Sequence, residues 1–172
     1  TMGVTYGSLD DADGETRERY SMIGAGLADA PASRSAAAAA KAMHEPVVLA
    51  APDLVRQPRP GPAAAFVAQG LCDALTSADD VGAPVAAAFA LADRGVRDLA
   101  SAWALVSSRP AGIMGLADRG TLEPGKRADF VAIDRETRAV EMTVARGHLT
   151  HLGAGAAERL CKAVSGLGIA AE

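Results

Sequence analysis

The stretch Thr121-Leu-Glu-Pro-Gly-Lys-Arg-Ala-Asp-Phe-Val-Ala-Ile-Asp134 runs from a turn into an apolar strand. Pro124-Gly125 favours a turn, because proline presets φ at the first central position and glycine accepts a positive φ at the second. Phe130, Val131 and Ile133 are residue types enriched in strands. The sequence therefore predicts a turn followed by a strand at this point.

Two further apolar segments follow, at residues 139–145 and 148–152, with Arg146-Gly147 as the turn between them. Short strands separated by tight polar turns are typical of an antiparallel sheet. Residues 113–153 are therefore predicted to form a small antiparallel β-sheet. Residues 154–172 are predicted to form a C-terminal helix with a fraying tail.

Residues 3–112 alternate short apolar segments with helical ones, which is the pattern of strand–helix units. The predicted strands are residues 4–9, 47–50 and 72–77. Ser33 is predicted to cap an alanine-rich helix, and the acidic residues after the first strand to cap a helix over residues 15–27. The sequence thus predicts an α/β segment of about three βα units.

Composition excludes several classes of function. A net charge of −4 and 3% aromatic residues argue against a nucleic-acid surface, which needs clustered basic side chains or stacking platforms. The chain has no apolar run near the ~20 residues of a membrane span. Cys72 and Cys161 are far apart, as in a reduced protein, so a cytoplasmic location is expected.

Taken in order, several segments resemble the amidohydrolase superfamily, in particular its phosphonate-metabolism branch, the α-D-ribose 1-methylphosphonate 5-triphosphate diphosphatases. The segments are residues 3–11, 31–33, 45–52, 70–75, 108–116 and 121–134. The resemblance implies a TIM-type (β/α) barrel followed by a small antiparallel sheet. A full barrel typically needs about 250 residues. The 172 residues are therefore expected to hold only the last three or so βα units.

The resemblance also implies a chemistry. Members of this branch hydrolyse a phosphoanhydride bond of a phosphorylated small molecule, and a divalent metal such as zinc sits at the carboxyl-terminal mouth of the barrel. Such a metal polarises a phosphoryl oxygen and lowers the pKa of bound water. The expected cofactor is therefore a divalent metal, although this chain alone is expected to lack some of its ligands.

Two family ligands are replaced by residues that cannot bind a metal. Leu9 stands where the family has histidine, and Ala78 stands where it has an aspartate that acts as ligand and base. Asp10 and Asp11 remain as candidate metal ligands, because carboxylate oxygens suit hard cations. The alternative reading is that these acidic residues cap the following helix.

Other candidates lie on the predicted loops. Asp79 is a candidate catalytic residue, which next to Asp80 could share a proton. Arg56 and Arg59 are candidate substrate ligands, since guanidinium groups bind phosphate bidentately. Solvated side chains are the alternative in each case.

Two further groups of titratable residues are interpreted as surface features. Arg17, Arg19 and Glu15 are expected to form exposed pairs on a helix. His148 and His151 are interpreted as exposed strand residues, because i and i+3 lie on opposite faces of a strand. None of these residues is therefore predicted to belong to a site.

Two functional hypotheses remain. The first is a truncated, ligand-depleted relative of a metal-dependent diphosphatase that is not catalytic alone. The alternative is an active metal-dependent hydrolase of a ribose phosphonate triphosphate, or another amidohydrolase-type hydrolase. Because an open half-barrel exposes strand edges, the chain is expected to form a homo-oligomer or to dock to a missing barrel half.

Overall fold

A computed structural model describes residues 6–56 and 61–166 of the chain. The chain divides into two compact units, residues 1–116 and residues 117–172. The sequence places the corresponding boundary at residues 112 and 113, four residues earlier. Each unit is described by itself.

The first unit alternates short strands with helices. Its strands are β1 (Ser8–Leu9), β2 (Ala28–Asp29), β3 (Val47–Ala50) and β4 (Ala74–Thr76). Its helices are α1 (Gly14–Met22), α2 (Arg34–Ala42), α3 (Pro52–Val55), α4 (Pro62–Ala68), α5 (Ala83–Asp93), α6 (Leu99–Ala104) and α7 (Ser108–Ile113). The four strands are parallel and lie in the order β1-β2-β3-β4.

The prediction of about three βα units was one strand short. Strand β2 has only two residues, Ala28 and Asp29, and Ala28 is paired with Val47 of β3. Two residues are too few to show a strand periodicity, so this strand could not be predicted from the sequence. Helix α1 was expected to reach residue 27, but it ends at Met22, and Gly24 follows with φ +97°.

The core of the first unit lies between the sheet and the helices packed on it. Val47 and Leu49 alternate inward on β3, and Leu54, Val67 and Leu91 from three helices pack around them. Helix α2 buries three alanines, Ala36, Ala37 and Ala40. Small side chains allow close approach to neighbouring elements, which explains how a chain with 3% aromatic residues builds a core.

The predicted helix starts are confirmed by their caps. Ser33 accepts a hydrogen bond from the Ala36 backbone N–H at 3.1 Å, and helix α2 begins directly after it. Asp13 accepts one from the Thr16 backbone N–H at 2.8 Å at the start of α1. This hydrogen bond holds the pKa of the Asp13 carboxyl below its usual value.

The second unit is an antiparallel sheet followed by a helix, as predicted. Its strands are β5 (Phe130–Ile133), β6 (Val140–Ala145) and β7 (His148–Leu152), in the order β5-β6-β7, and its helix is α8 (Ala154–Gly166). In the turn before β5, the Lys126 N–H bonds the Glu123 carbonyl at 3.2 Å, and Gly125 has φ +86°. Arg146 and Gly147 both have positive φ, as in the mirror-image turns that join tightly paired strands.

Helix α8, with 13 residues, is the longest helix of the described ranges. A helix needs about 20 apolar residues to span a bilayer. None of the helices in residues 6–56 and 61–166 is long and apolar enough to do so.

Candidate active site

The carboxyl ends of the four parallel strands lie along one edge of the sheet in the first unit. We call the residues that end or directly follow these strands the strand-end edge. Ligands of parallel α/β sheets bind at such an edge, because the loops that leave the strands converge there. It carries Leu9, Asp10 and Asp11 after β1, Asp29 at the end of β2, and Ala78 and Asp79 after β4.

A buried ionic cluster underlies the first of these strand ends. It consists of Ser8, Asp11, Arg17 and Glu45, and we call it the Arg17 cluster. The Arg17 Nη1 atom lies 3.4 Å from Asp11 Oδ2, and its Nη2 atom lies 2.9 Å from Glu45 Oε2. The side chain of Arg17 is 0% exposed and that of Asp11 is 1% exposed.

Hydrogen bonds within the Arg17 cluster fix its geometry. The Ser8 hydroxyl donates to Asp11 Oδ2 at 2.6 Å, and it accepts a hydrogen bond from Arg17. Arg17 also donates to the backbone carbonyls of Leu27, at 3.0 Å, and of Ala25. The guanidinium therefore joins β1 to the segment that precedes β2 and supplies the positive charge that buried Asp11 requires.

The expectation that Arg17 belongs to a surface pair was wrong. Only Arg19 and Glu15 form an exposed pair on α1, whereas Arg17 faces inward. Gly14 marks the buried face, because a Cβ there would lie 3.4 Å from the Ser35 carbonyl oxygen. The arginine lies three residues after this glycine, on the same helix face, which is the signal that could have placed it.

The residues of the strand-end edge near β1 do not fit a divalent metal. Asp11 Oδ1 is buried without a hydrogen-bond partner, but a cation there would lie beside the Arg17 guanidinium on the same carboxylate. Asp10 is exposed, and the Leu9 side chain is 64% exposed and has no donor atom. The described part of the chain contains no group of three or more His, Cys, Asp or Glu residues able to hold a metal.

The end of β4 carries a second carboxylate–arginine pair. The Arg56 Nη2 atom lies 3.0 Å from Asp79 Oδ1 and 3.1 Å from Oδ2, and both side chains are exposed. The hydrogen bond from Arg56 lowers the pKa of the Asp79 carboxyl. The structure thus brings together the predicted catalytic residue and one predicted substrate ligand, and they bind each other.

The neighbours of Asp79 have local structural roles. Ala78 has φ +48°, and its N–H bonds the Thr76 hydroxyl at 3.0 Å. Asp80 accepts a hydrogen bond from the Gly82 N–H at 3.0 Å, which shapes the turn into α5. The methyl group of Ala78 offers no proton acceptor and no metal ligand.

Sequence reasoning did not single out Asp29 as a site residue. It is half-buried at the end of β2, where partial burial raises the pKa of its carboxyl and the negative charge of Asp10 raises it further. A carboxyl whose pKa is raised at a strand end is a candidate proton carrier. Because the sequence showed no strand β2, it could not bring Asp29 next to Asp10.

The other predicted site residues lie apart from this edge or outside the described ranges. Arg59 belongs to residues 57–60, which lie outside the described part of the chain. His148 and His151 lie on β7 in the second unit, opposite Ala145 and Thr143 of β6. These two partners are two residues apart on β6, and the register shifts between Thr143 and Val144. The strict alternation that predicted opposite faces for the two histidines therefore does not hold along β7.

Comparison with known proteins gives one family and one curated relative. A model described as "Amidohydrolase family" matches residues 85–151. The chain is 32% identical over 144 residues to the α-D-ribose 1-methylphosphonate 5-triphosphate diphosphatase of Escherichia coli K12. The match covers 81% of this chain and 38% of that enzyme, so the chain spans about two-fifths of the relative's length.

Solved structures show a similar fold. A β-aspartyl dipeptidase from Fervidobacterium islandicum AW-1 matches with a TM-score of 0.59 and 18% identity, over 73% of this chain and 37% of that one. The same enzyme in complex with a β-Asp-Leu dipeptide matches with a TM-score of 0.60 and 17% identity, over 76% and 40%. At this identity the likeness concerns the fold alone.

Proposed function

Because this chain is a partial homologue of amidohydrolase-family hydrolases, we propose that it forms the last βα units of a TIM-type barrel and its closing sheet, without hydrolytic activity of its own. The parallel order of β1 to β4 supports the barrel segment, since TIM barrels are built from adjacent parallel strands. The small antiparallel sheet follows it along the chain. In this proposal the chain keeps the scaffold of a phosphonate-pathway diphosphatase and has lost its chemistry.

One observation carries this proposal: Asp11 and Asp79, the acidic residues expected at two strand ends, are each bound by an arginine of the same chain. A carboxylate neutralised by a guanidinium is a poor ligand for a second cation and a weak base. Leu9 and Ala78 add no donor atoms beside them. The strand-end edge is therefore built for internal ion pairing.

The direct test is an activity assay with the substrate named for the Escherichia coli relative. The full chain is incubated with α-D-ribose 1-methylphosphonate 5-triphosphate and zinc or manganese, and pyrophosphate release is followed with the E. coli enzyme as positive control. We expect release no faster than in the protein-free blank. Release that depends on this chain and disappears in Asp79→Asn would overturn the proposal.

A second candidate, an active hydrolase of a phosphorylated small molecule, is favoured by Asp29. Its raised pKa would let this carboxyl carry a proton near the strand ends. Arg56 would then leave Asp79 and bind a phosphate of the substrate bidentately. In the same assay, release that Asp29→Asn abolishes and Asp98→Asn preserves would establish this candidate, because Asp98 caps helix α6.

The open edge of β1 is where we propose that a further barrel segment of this family binds. Among the described residues, no strand pairs with β1 on the side away from β2. Leu9 on this strand is 64% exposed and Tyr6, just before the strand, is 53% exposed, as expected of large side chains at an uncovered edge. We expect light scattering after size exclusion to show the isolated chain as a monomer that joins an added N-terminal barrel segment. A stable homodimer that ignores the segment would contradict this.

A further inference from the structure

The opposite end of the parallel sheet carries an open cleft of about 880 Å³ in the first unit. Gly26, Pro46 and Asp73, which precede β2, β3 and β4, lie on its wall. The cleft therefore opens at the amino ends of the strands, away from the strand-end edge. Its volume falls within the range of small-molecule sites.

Charged side chains converge on this cleft. Its ionisable residues are Lys41, His44, Glu45, Asp73, Arg97 and Arg109. Both acidic groups are already bound by cations of the chain. The Lys41 ammonium lies 2.6 Å from Asp73 Oδ1, and Glu45 lies 2.9 Å from Arg17 in the Arg17 cluster. Asp73 Oδ2 also accepts the Val47 N–H at 2.9 Å.

Arg97 and Arg109 keep their positive charges uncompensated. Arg97 Nη2 donates to the Val67 carbonyl at 2.7 Å, and Arg109 Nη1 approaches the Cys72 carbonyl at 3.5 Å. No carboxylate of the described residues forms an ion pair with either guanidinium. A neutral carbonyl orients an arginine without cancelling its charge, so both groups retain donors for an anion.

The two arginines reach the cleft from different elements. Arg97 follows α5, and its Nη2 atom lies 3.8 Å from the position that a Cβ on Gly70 would occupy. Arg109 belongs to α7. Both guanidiniums line the cleft, Arg109 beside the Cys72 carbonyl and Arg97 beside the Val67 carbonyl. Burial raises the pKa of Cys72 to about 12, so the thiol stays neutral and adds no negative charge.

We propose that this cleft binds a small phosphorylated molecule, with its phosphate held between Arg97 and Arg109. A phosphate dianion matches two guanidiniums that lack carboxylate partners, and their fork geometry fits its oxygens. The cleft exceeds the volume of the anion alone, which leaves room for the organic part of a phosphomonoester. The site is independent of hydrolysis at the strand-end edge and can exist in an inactive chain.

The test uses the full chain with inorganic phosphate and ribose 5-phosphate as probes at constant ionic strength. Amide resonances of the wild-type chain are followed by NMR during each titration. We expect saturable shifts centred on Gly70 and Gly112, both on the cleft wall, with the ester bound at least as tightly as inorganic phosphate. Shifts centred on Gly82 at the other end of the sheet, or the absence of saturation, would overturn the proposal.

Substitutions of single arginines test which positive charges bind the phosphate group. Arg97→Gln and Arg109→Gln are each expected to weaken binding of both probes about tenfold, the effect of losing one charge-assisted hydrogen bond. Arg19→Gln removes the same charge from the surface of α1 and is expected to leave binding unchanged. Unaltered binding in folded Arg97→Gln and Arg109→Gln, or a loss in Arg56→Gln instead, would refute the site. If a variant fails to fold, the position of the shifted amide resonances in the wild-type chain tests the site instead.

Discussion

At the scale of single residues, Arg17 shows how the chain treats buried charge. Its guanidinium contacts two carboxylates, one hydroxyl and two backbone carbonyls in a space closed to solvent. Buried charges persist only when paired, and removal of one partner leaves the others uncompensated. The same pairing that stabilises the fold occupies Asp11, a residue expected to bind a metal.

Arg17→Met is expected to lower the free energy of unfolding by about 3 kcal/mol, because Asp11 and Glu45 lose their counter-charge inside the protein. Urea unfolding followed by Trp103 fluorescence measures the change. The control Arg19→Met, on the exposed face of α1, should have little effect. Equal effects of the two substitutions would show that the Arg17 cluster does not stabilise the fold.

Asp29 and Asp98 are expected to respond in opposite directions to substitution by asparagine. The pKa of Asp29 is raised by burial, so its ionised form destabilises the folded state, and Asp29→Asn should stabilise the protein at pH 7. The pKa of Asp98 is lowered by hydrogen bonds from Ser101, so Asp98→Asn should destabilise it.

Both effects should shrink as the pH falls through the carboxyl range, where the two aspartates become protonated. The extra stability of Asp29→Asn over the wild-type chain should decrease as the pH falls through the raised pKa of the folded state towards the ordinary value of 3.8. The stability lost in Asp98→Asn should decrease as the pH falls from 3.8 towards the lowered pKa of Asp98 in the folded state. Urea unfolding at several pH values provides the test, and changes of the same sign at pH 7 would contradict the assigned environments.

At the scale of elements, helix ends follow their sequence signals closely. Helix α7 ends at Ile113, and Gly115 follows with φ +67° while the Leu116 N–H bonds the Ala111 carbonyl at 2.8 Å. A left-handed glycine after the last turn is a common helix stop. Within the helix, a Cβ added to Gly112 would project into open space.

Gly115→Ala and Gly112→Ala form a matched pair, because an added methyl group meets no atom within 4 Å at either position. Gly115→Ala should cost about 1 kcal/mol, since alanine disfavours a positive φ. Gly112→Ala should gain about 0.5 kcal/mol, since alanine favours a helix interior. Urea unfolding followed by Trp103 fluorescence compares them, and equal stability of the two variants would disprove the backbone argument.

Local signals predicted most elements and failed where partners come from elsewhere in the chain. Ser33 predicted the start of helix α2, and the apolar pattern of residues 148–152 predicted β7, because each signal comes from residues close together in the sequence. Strand β2 exists through pairing with β1 and β3, and Asp11 is engaged by a residue of the next helix. Such contacts leave no periodic pattern in the sequence. The sequence therefore predicted that the site lies at the strand ends, but it did not predict the ion pairs formed there.

At the scale of the whole molecule, a unit with a parallel sheet is followed along the chain by a unit with an antiparallel sheet, and two strand ends of the first unit hold arginine-bound carboxylates. The parallel and antiparallel sheets follow each other along the chain in the order that the family resemblance implied. The chain also spans about two-fifths of the E. coli relative. A scaffold is stabilised by its buried contacts, so it does not depend on exposed strand-end residues such as Leu9.

Zinc titration calorimetry of the full chain, beside its Asp11→Asn variant, tests most directly the claim that the strand ends are built for ion pairing. We expect the wild-type chain to show no stoichiometric zinc site that depends on Asp11, so the two titrations should coincide. A one-to-one zinc site in the wild-type chain that is lost in Asp11→Asn would contradict the claim.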